Sequence, residues 1–350
     1  MTAAGALASI PSPSSGTIDI GGLSIHAYGL MIALGVVAAV WLLGRRFEAA
    51  GVGTRDDASA ISVWGVVAGI IGARLYHVAT DWSSFEHDLA KIPQIWKGGL
   101  GIPGGLLGGI TVGLWAGTRR GIPAAVTANL AAPALPLAQA IGRWGNWFNQ
   151  ELFGKVTDLP WALRVSDANA LAAGYPAGTT FHPTFLYESL WNFALCGALL
   201  AIDRKWRIRP PRLMAMYVLG YGVGRFWVEG LRIDPADHVA GLRWNQWVAL
   251  VAALLAAAYL VGSRGRLTLA PGEQLVARRG AAQDGPDGLD EPGRPDEPDE
   301  LDELDDDHEY DGDVGAEYVP ANDDAGDLDD LDDLDGRNGR DGAHGPEPTS

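Results

Sequence analysis

Seven long apolar segments constrain the fold of this chain more than any other feature of its sequence. Each is close to the ~20 residues that an α-helix needs to cross the hydrocarbon core of a bilayer. Because a spanning segment must satisfy its backbone polar groups internally, we predict an all-α integral membrane protein with about seven transmembrane helices. The segments cover residues 23–44, 58–80, 99–117, 122–141, 184–202, 213–230 and 244–262.

The formal net charge of −17 combines two parts of opposite character. Residues 281–350 contain 27 of the 43 acidic residues but only 3 of the 26 basic residues, whereas residues 1–280 carry a net charge of +7. The acidic part has almost no aromatic or β-branched residues, so it cannot bury enough apolar surface to offset its ordering entropy. We expect residues 263–350 to form a low-complexity, disordered acidic tail, which is either simply solvated or, as the alternative, docks to a partner.

Basic residues indicate the orientation, because arginine and lysine collect in cytoplasmic loops. The loops after the first, third, fifth and seventh apolar segments hold 14 basic residues, and the loops on the other side hold 7. We therefore predict that the N-terminus lies outside and the C-terminus in the cytoplasm. Residues 1–22 form a short extracytoplasmic segment, residues 23–262 the transmembrane domain, and residues 143–183 a small extracytoplasmic head. The opening residues lack a basic n-region, so no cleavable signal peptide is expected.

Charged residues at or inside the apolar segments point to function. An arginine at the centre of a membrane helix costs about 2.5–3.5 kcal/mol, so it requires a reason. Arg143 follows the fourth segment, in "GRWGNWFNQELFG". Arg225 lies inside the sixth, in "YGVGRFWVEGLR", and its spacing to Glu229 and Arg232 places all three on one helical face. A structural pair between Arg225 and Glu229, or an arginine that extends to the interface, is the alternative.

The functional interpretation is a site for a phosphate, since arginine forms bidentate hydrogen bonds to phosphate with a charge that cannot be lost. Phospholipid headgroups supply that phosphate at the outer leaflet. Two further polar segments, "HAYG" and "HPTFLYE", fall on the same predicted side. We expect one outward-opening cavity lined by Tyr28, Arg143, Asn146, His182, Tyr187, Glu188, Tyr221 and Arg225.

These motifs together resemble the bacterial prolipoprotein diacylglyceryl transferases. "GRWGNWFNQELFG" resembles that family's signature, and "HAYGLM", "HPTFLYE" and "YGVGRFWVEGLR" occur in the family's order. The resemblance implies an enzyme of the bacterial cytoplasmic membrane. Such an enzyme transfers the diacylglyceryl group of phosphatidylglycerol to the lipobox cysteine of a preprolipoprotein, forming a thioether and releasing glycerol phosphate.

The resemblance also implies roles for individual residues. The catalytic group comprises Arg143, Arg225 and Tyr28, with His26 or His182 as the base. Substrate binding falls to Arg143, Asn146, Asn149, Glu151, Gly154 and Tyr221, and structural ion pairing to Glu229 and Arg232. The chain departs from the family at Pro103, where many members have a histidine. Proton removal then needs His26, His182, more weakly His77, or no dedicated histidine.

The expected partners are phosphatidylglycerol, lipobox signal peptides and the lipid bilayer, with no nucleic acid, no cofactor and no metal. Two alternatives use the same arginines: a membrane transporter and an enzyme that exchanges phospholipid headgroups. Buried charges and helices broken by glycine or proline also mark transport pathways. The helices show no internal repeat of the kind that such transporters often have.

Overall fold

The computed structural model describes residues 9–21, 23–270 and 272–275, and the described chain is mostly helical. The acidic residues 281–350, predicted to be disordered, lie outside these ranges. The long helices are α1 (Ala27–Ala50), α2 (Arg55–Thr80), α3 (Ile102–Arg119), α8 (Thr184–Trp206), α9 (Arg212–Glu229) and α10 (Trp244–Gly262). The short helices are α4 (Ala124–Ala131), α5 (Ala134–Gly142), α6 (Trp144–Asn149) and α7 (Asp167–Ala172).

Four of these helices, α1, α2, α8 and α10, are long and apolar enough to cross a membrane. Together, α4 and the α5–α6 segment form a fifth candidate, bent by 44°. Large apolar side chains such as Val37, Leu107 and Leu255 are at least 65% exposed, as expected where lipid covers the surface. The protein is therefore a helical membrane protein, and seven spans remain a prediction for α3 and α9.

The predicted fourth span, residues 122–141, is broken rather than continuous. Pro133 and Pro136 lie at the start of α5, where α4 has just ended at Ala131. Proline lacks the N–H that would continue a helix, and its ring clashes with the preceding turn. The chain therefore bends between α4 and α5, and Arg143 lies further along, at the junction between α5 and α6.

Helices α2 and α3 pack together through glycine. A Cβ on Gly72 would lie 2.4 Å from the carbonyl oxygen of Gly104, and a Cβ on Gly108 would lie 2.5 Å from that of Ala68. Small residues allow such close approach of backbones, which drives helix association in lipid, where no hydrophobic difference favours it. Pro103 occupies the first turn of α3, where a missing N–H costs nothing.

Short strands join the helices on the side of the fold that carries the polar motifs. β1 (Ile10–Pro11) pairs in parallel with β4 (Leu163–Arg164), which pairs antiparallel with β5 (Thr180–Phe181). Around them lies a small core that includes Phe153, Leu163 and Phe181. This unit covers most of the predicted head and also includes residues from the N-terminal segment. The sequence did not predict these strand pairings, because two-residue pairings leave no periodic signal.

Two hairpins lead directly into long helices. β2 (Thr17–Ile20) pairs with β3 (Leu23–His26) immediately before α1, and β6 (His238–Val239) pairs with β7 (Leu242–Arg243) immediately before α10. The all-α prediction thus misses short strands. The hairpins matter for the site because they set where Tyr28 and Arg243 enter their helices.

Replacing glycine by alanine should have opposite effects on stability at two positions, one inside the close contact between α2 and α3 and one outside it. Gly108→Ala forces a methyl group against the Ala68 carbonyl and should destabilise the protein by about 1–3 kcal/mol. Gly197→Ala, in the middle of α8 with open space around its Cα, should be neutral or stabilise by up to ~1 kcal/mol. Thermal unfolding in detergent measures both. Equal melting temperatures for the two variants would contradict this packing.

Candidate functional site

A single carboxylate, that of Glu188, joins the two arginines that the sequence singles out. Glu188 Oε2 lies 2.6 Å from Arg143 Nε, and Glu188 Oε1 lies 3.2 Å from Arg225 Nη1. The three residues come from the α5–α6 junction, the second turn of α8 and the last turns of α9. The Glu188 side chain is only 7% exposed, so its charge depends on these two partners.

A second carboxylate continues the network away from Arg143. Glu229, fully buried, lies 2.8 Å from Arg225 Nη2, 3.2 Å from Arg232 Nη1 and 2.8 Å from Arg243 Nε. With Asp234, which also pairs with Arg232 and Arg243, four arginines and three carboxylates form one connected cluster, with a formal charge of +1. Arg143 and Arg225, whose side chains are 23% and 16% exposed, are its accessible arginines; those of Arg232 and Arg243 are 8% and 7% exposed.

Asp234 completes the cluster outside the helices. Its carboxylate accepts hydrogen bonds from Arg232 Nε at 2.7 Å and from Arg243 Nη2 at 2.9 Å. Burial disfavours the charge of Asp234, but the hydrogen bonds and charges of the two guanidinium groups outweigh it and lower the pKa of the carboxyl. Asp234 therefore stays ionised and fixes both arginines against Glu229.

On the Arg143 side, Asn146 links the cluster to a fourth acidic residue, Glu151, which forms no ion pair with the four arginines. Asn146 Oδ1 accepts a hydrogen bond from Arg143 Nη1 at 3.2 Å, and its Nδ2 donates to Glu151 Oε1 at 2.7 Å. Asn149 Nδ2 reaches the same oxygen at 3.4 Å. Asn146 lies one turn after Arg143, and the chain beyond α6 returns Glu151 to Asn146, so Asn146 orients Arg143 while Glu151 orients Asn146.

Tyr28 lies beside this arrangement because of Gly145. A Cβ on Gly145 would lie 2.7 Å from Tyr28 Cδ2, so only glycine lets α6 approach the first turn of α1. Tyr28 remains 36% exposed. Tyr221 is one turn before Arg225 on α9 and stacks on Tyr217, with ring centroids 5.8 Å apart.

Gly154 occupies a crossing point of three chain segments. Its N–H donates to the His182 carbonyl oxygen at 2.9 Å, and it forms a bridge with Arg232. A Cβ at this position would lie 2.8 Å from His182 Cβ. The geometry gives Gly154 a packing function that connects the head to the segment after α9. Its predicted substrate contact stays a prediction.

The two candidate histidines have different surroundings. His182 Nδ1 lies 3.0 Å from the Tyr187 hydroxyl, which also accepts a hydrogen bond from Trp161 Nε1. Burial, with a smaller effect from the positive charge of Lys155, lowers the pKa of His182. His26 is exposed at the end of β3, and its side chain makes no hydrogen bond to the described residues. Their predicted role as base stays untested.

Other polar residues near the apolar segments take structural positions. Arg74 is buried and donates to the carbonyl oxygens of Lys91, Ile92, Gly98 and Gly99 at 2.7–2.9 Å, so it holds the loop between α2 and α3. His77 packs edge-on against Phe85 in the same loop. Neither is part of the Glu188 cluster.

Sequence reasoning missed Arg243 and Asp234 as members of the cluster. The sequence signal was present in the spacing of Arg232 and Asp234 and in an arginine directly before a predicted span. The sequence did not show that the turn between α9 and α10, formed by β6 and β7, returns Arg243 to Glu229.

The fold is that of a helical membrane protein in which four arginines converge between helices. Arg143 and Arg225 are partly exposed, and the four arginines outnumber the three carboxylates that pair with them. Such a constellation within membrane helices is costly, and its geometry suits the binding of an anion.

The chain belongs to the prolipoprotein diacylglyceryl transferase family, whose model matches residues 15–262. It is similar to the "Phosphatidylglycerol--prolipoprotein diacylglyceryl transferase 1" of Streptomyces coelicolor, with 46% identity over 279 residues, 79% of each chain. The "Phosphatidylglycerol--prolipoprotein diacylglyceryl transferase" of Streptomyces griseus is 46% identical over 259 residues, which cover 73% of this chain and 78% of the relative. The protein of the same name from Cutibacterium acnes is 48% identical over 252 residues, which cover 69% of this chain and 82% of the relative.

This family assignment makes the chain a transferase and confirms the resemblance seen in the motifs. It gives no support to the transporter or to the headgroup-exchange enzyme. The matched residues 15–262 contain every member of the Glu188 cluster.

The central position of Glu229 predicts a large loss of stability when its charge is removed. Glu229→Gln keeps the shape but leaves three guanidinium groups around a neutral amide, which should cost about 3–5 kcal/mol. Glu48→Gln removes an exposed partner of Arg55 and should cost less than ~1 kcal/mol. Chemical denaturation in detergent compares the two. Similar losses would show that the buried cluster does not stabilise the fold.

Proposed function

We propose that this chain transfers the diacylglyceryl group of phosphatidylglycerol to the lipobox cysteine of preprolipoproteins. The thiolate sulfur attacks the glycerol carbon, a C–S bond forms, and the C–O bond to phosphate breaks. The bonding electrons leave with the phosphate oxygen of glycerol phosphate, and the thiol proton passes to a base. The observation that carries this proposal is the pair of partly exposed arginines joined by Glu188.

The two arginines are arranged to stabilise the leaving phosphate. Glu188 and Asn146 engage Nε and Nη1 of Arg143, and Glu188 and Glu229 engage Nη1 and Nη2 of Arg225. These bonds leave N–H groups on both guanidiniums for a phosphate. Because both side chains are already fixed, little reorganisation is needed as charge develops, which is the condition for strong transition-state stabilisation.

The acceptor cysteine must lose its proton, since a thiol with an ordinary pKa is only a few per cent ionised at neutral pH. His182 is suited to accept that proton, because its lowered pKa keeps the imidazole neutral and available. In the tautomer whose Nδ1–H donates to the Tyr187 hydroxyl oxygen, Nε2 carries the free lone pair and is the nitrogen that would take the proton. His26 is the alternative, and deprotonation without a histidine is the third route.

We propose the following topology for this reaction. The chain crosses the bacterial cytoplasmic membrane seven times, with α3 and α9 as the additional spans. The N-terminal segment and the head around residues 143–183 face outward, where exported preprolipoproteins present their cysteine. The C-terminal tail is cytoplasmic. The twofold excess of basic residues on the inner side supports this arrangement.

Lysine substitutions test the two arginines. Arg143→Lys and Arg225→Lys keep a positive charge but lose the planar, bidentate geometry, so each should lower transfer at least about a hundredfold, roughly 2.7 kcal/mol of barrier. Arg119→Lys, on an exposed arginine at the other end of the helices, should keep the wild-type rate. Initial rates with phosphatidylglycerol and a lipobox peptide decide this, with thermal melts as a folding control. Near wild-type rates for both site variants would refute the proposed role.

The pH dependence of transfer tests the base. Below its pKa, His182 is protonated and cannot accept a proton, so the rate should fall on the acidic side, and the lowered pKa of His182 shifts this fall toward lower pH than for an ordinary histidine. Lys155→Gln removes a nearby positive charge and should move this acidic limb to higher pH, whereas His182→Gln should abolish it. If His182→Gln retains the wild-type profile, the same measurement on His26→Gln follows. Unchanged profiles for both variants would exclude a histidine base at either position.

A further inference from the structure

A polar cavity lies at the opposite end of the helices from Glu188. Its volume is about 850 Å³, and it opens between the C-terminal ends of α1 and α8. Glu188 and Arg204 are 16 residues apart on α8, which corresponds to about 24 Å along the helix. The cavity is therefore separate from the proposed transfer site.

Two kinds of side chain line this cavity. Leu42, Leu130 and Leu200 form an apolar wall between α1, α4 and α8. Four arginines and one aspartate supply the charge: Arg45, Arg46, Arg204, Arg207 and Asp203. The formal charge of this lining is +3. The C-terminal ends of α1 and α8 point here and oppose an anion, so the guanidinium groups must supply the attraction.

Arg46 is the most informative of these residues. Its side chain is only 10% exposed, and its Nη2 lies 2.8 Å from Asp203 Oδ2. Its Nε is buried and has no hydrogen-bond partner among the described residues. Arg46 is therefore fixed in the cavity wall by Asp203 and contributes positive charge there.

The other arginines are held near the cavity but keep their charge available. The Arg45 guanidinium lies 5.3 Å from the centre of the Trp41 ring. Arg204 and Arg45 are exposed, and neither has a carboxylate partner in the described part of the chain. Arg207 donates one N–H to the carbonyl oxygen of Glu273 at 3.0 Å. Tryptophan and arginine at the end of a membrane helix place this cavity at the level of lipid headgroups.

We propose that this cavity binds the phosphate of an anionic glycerophospholipid, with an acyl chain along the leucine wall. A phosphodiester offers acceptor oxygens to the exposed guanidinium groups of Arg45 and Arg204, and arginine is the residue best suited to it. The apolar wall beside the charges fits an acyl chain better than it fits a free phosphate ion. This site is independent of the transfer reaction and does not require the proposed function to be correct.

Native mass spectrometry of the full chain in neutral detergent tests this proposal by counting bound phosphatidylglycerol. Arg45→Gln with Arg204→Gln should weaken one binding event at least tenfold. The control pair, Arg119→Gln with Lys205→Gln, removes the same charge from two residues outside the cavity lining, each of which also lies beside a tryptophan ring. This control pair should bind phosphatidylglycerol as the wild type does. Both pairs retain Arg143 and Arg225, so the difference isolates the cavity.

Two comparisons distinguish lipid from free phosphate and from nonspecific attraction. Phosphatidylcholine should not occupy the site, and excess inorganic phosphate should not displace phosphatidylglycerol from it. Displacement by inorganic phosphate would overturn the lipid assignment, and equal binding by the two charge pairs would overturn the site itself.

The leucine wall provides a test that leaves the charges intact. Leu200→Trp fills the apolar side of the cavity and should also weaken the binding event at least tenfold. Leu190→Trp, on a residue of the same helix that is 59% exposed, should leave it unchanged. Equal lipid binding by these two variants would contradict the acyl-chain part of the proposal. Neither variant changes a member of the Glu188 cluster, so transfer activity reports separately on the proposed function.

Discussion

The carboxylate of Glu188, held between Arg143 and Arg225, is the interaction on which the rest of the site depends. Charges in a membrane helix are tolerated only when they are paired or solvated, and here one carboxylate pairs with arginines from two separate elements. Removing Glu188 would leave Arg143 without a carboxylate partner among the described residues, at a partly buried position. The same pairing fixes the guanidinium groups at one place, which is the condition for binding an anion without reorganisation.

The cluster also explains how the fold is joined around the site. Glu229 is fully buried and gathers Arg225, Arg232 and Arg243, so it ties the end of α9 to the turn before α10. Asn146 joins Arg143 to Glu151 at the start of the head. In the proposed function, stability and activity therefore depend on the same charged cluster. The buried residues of the cluster hold the helices together, and the more exposed arginines, Arg143 and Arg225, keep N–H groups for a substrate.

Much of the architecture could be predicted from the sequence, because apolar length is a strong signal for spanning helices. The candidate spans α1, α2, α8 and α10 fall on four of the seven predicted runs. The run at 122–141 was predicted as one helix and is two, since the effect of Pro133 depends on whether neighbouring helices can satisfy the freed backbone. The short strands before α1 and α10 leave no periodic pattern and were missed.

The sequence by itself determined the chemistry: which residues carry charge in an apolar context, and the motifs that place the chain in its family. The spacing of Arg225, Glu229 and Arg232 indicated one helical face without any structure. Only the tertiary structure decided the partners. Glu188 meets Arg143 across 45 residues and Arg225 across 37, and Arg243 returns to Glu229 through a hairpin. Such contacts arise from the packing of one helix against another. Local sequence does not encode them, because how closely two helices approach depends on the surfaces of both.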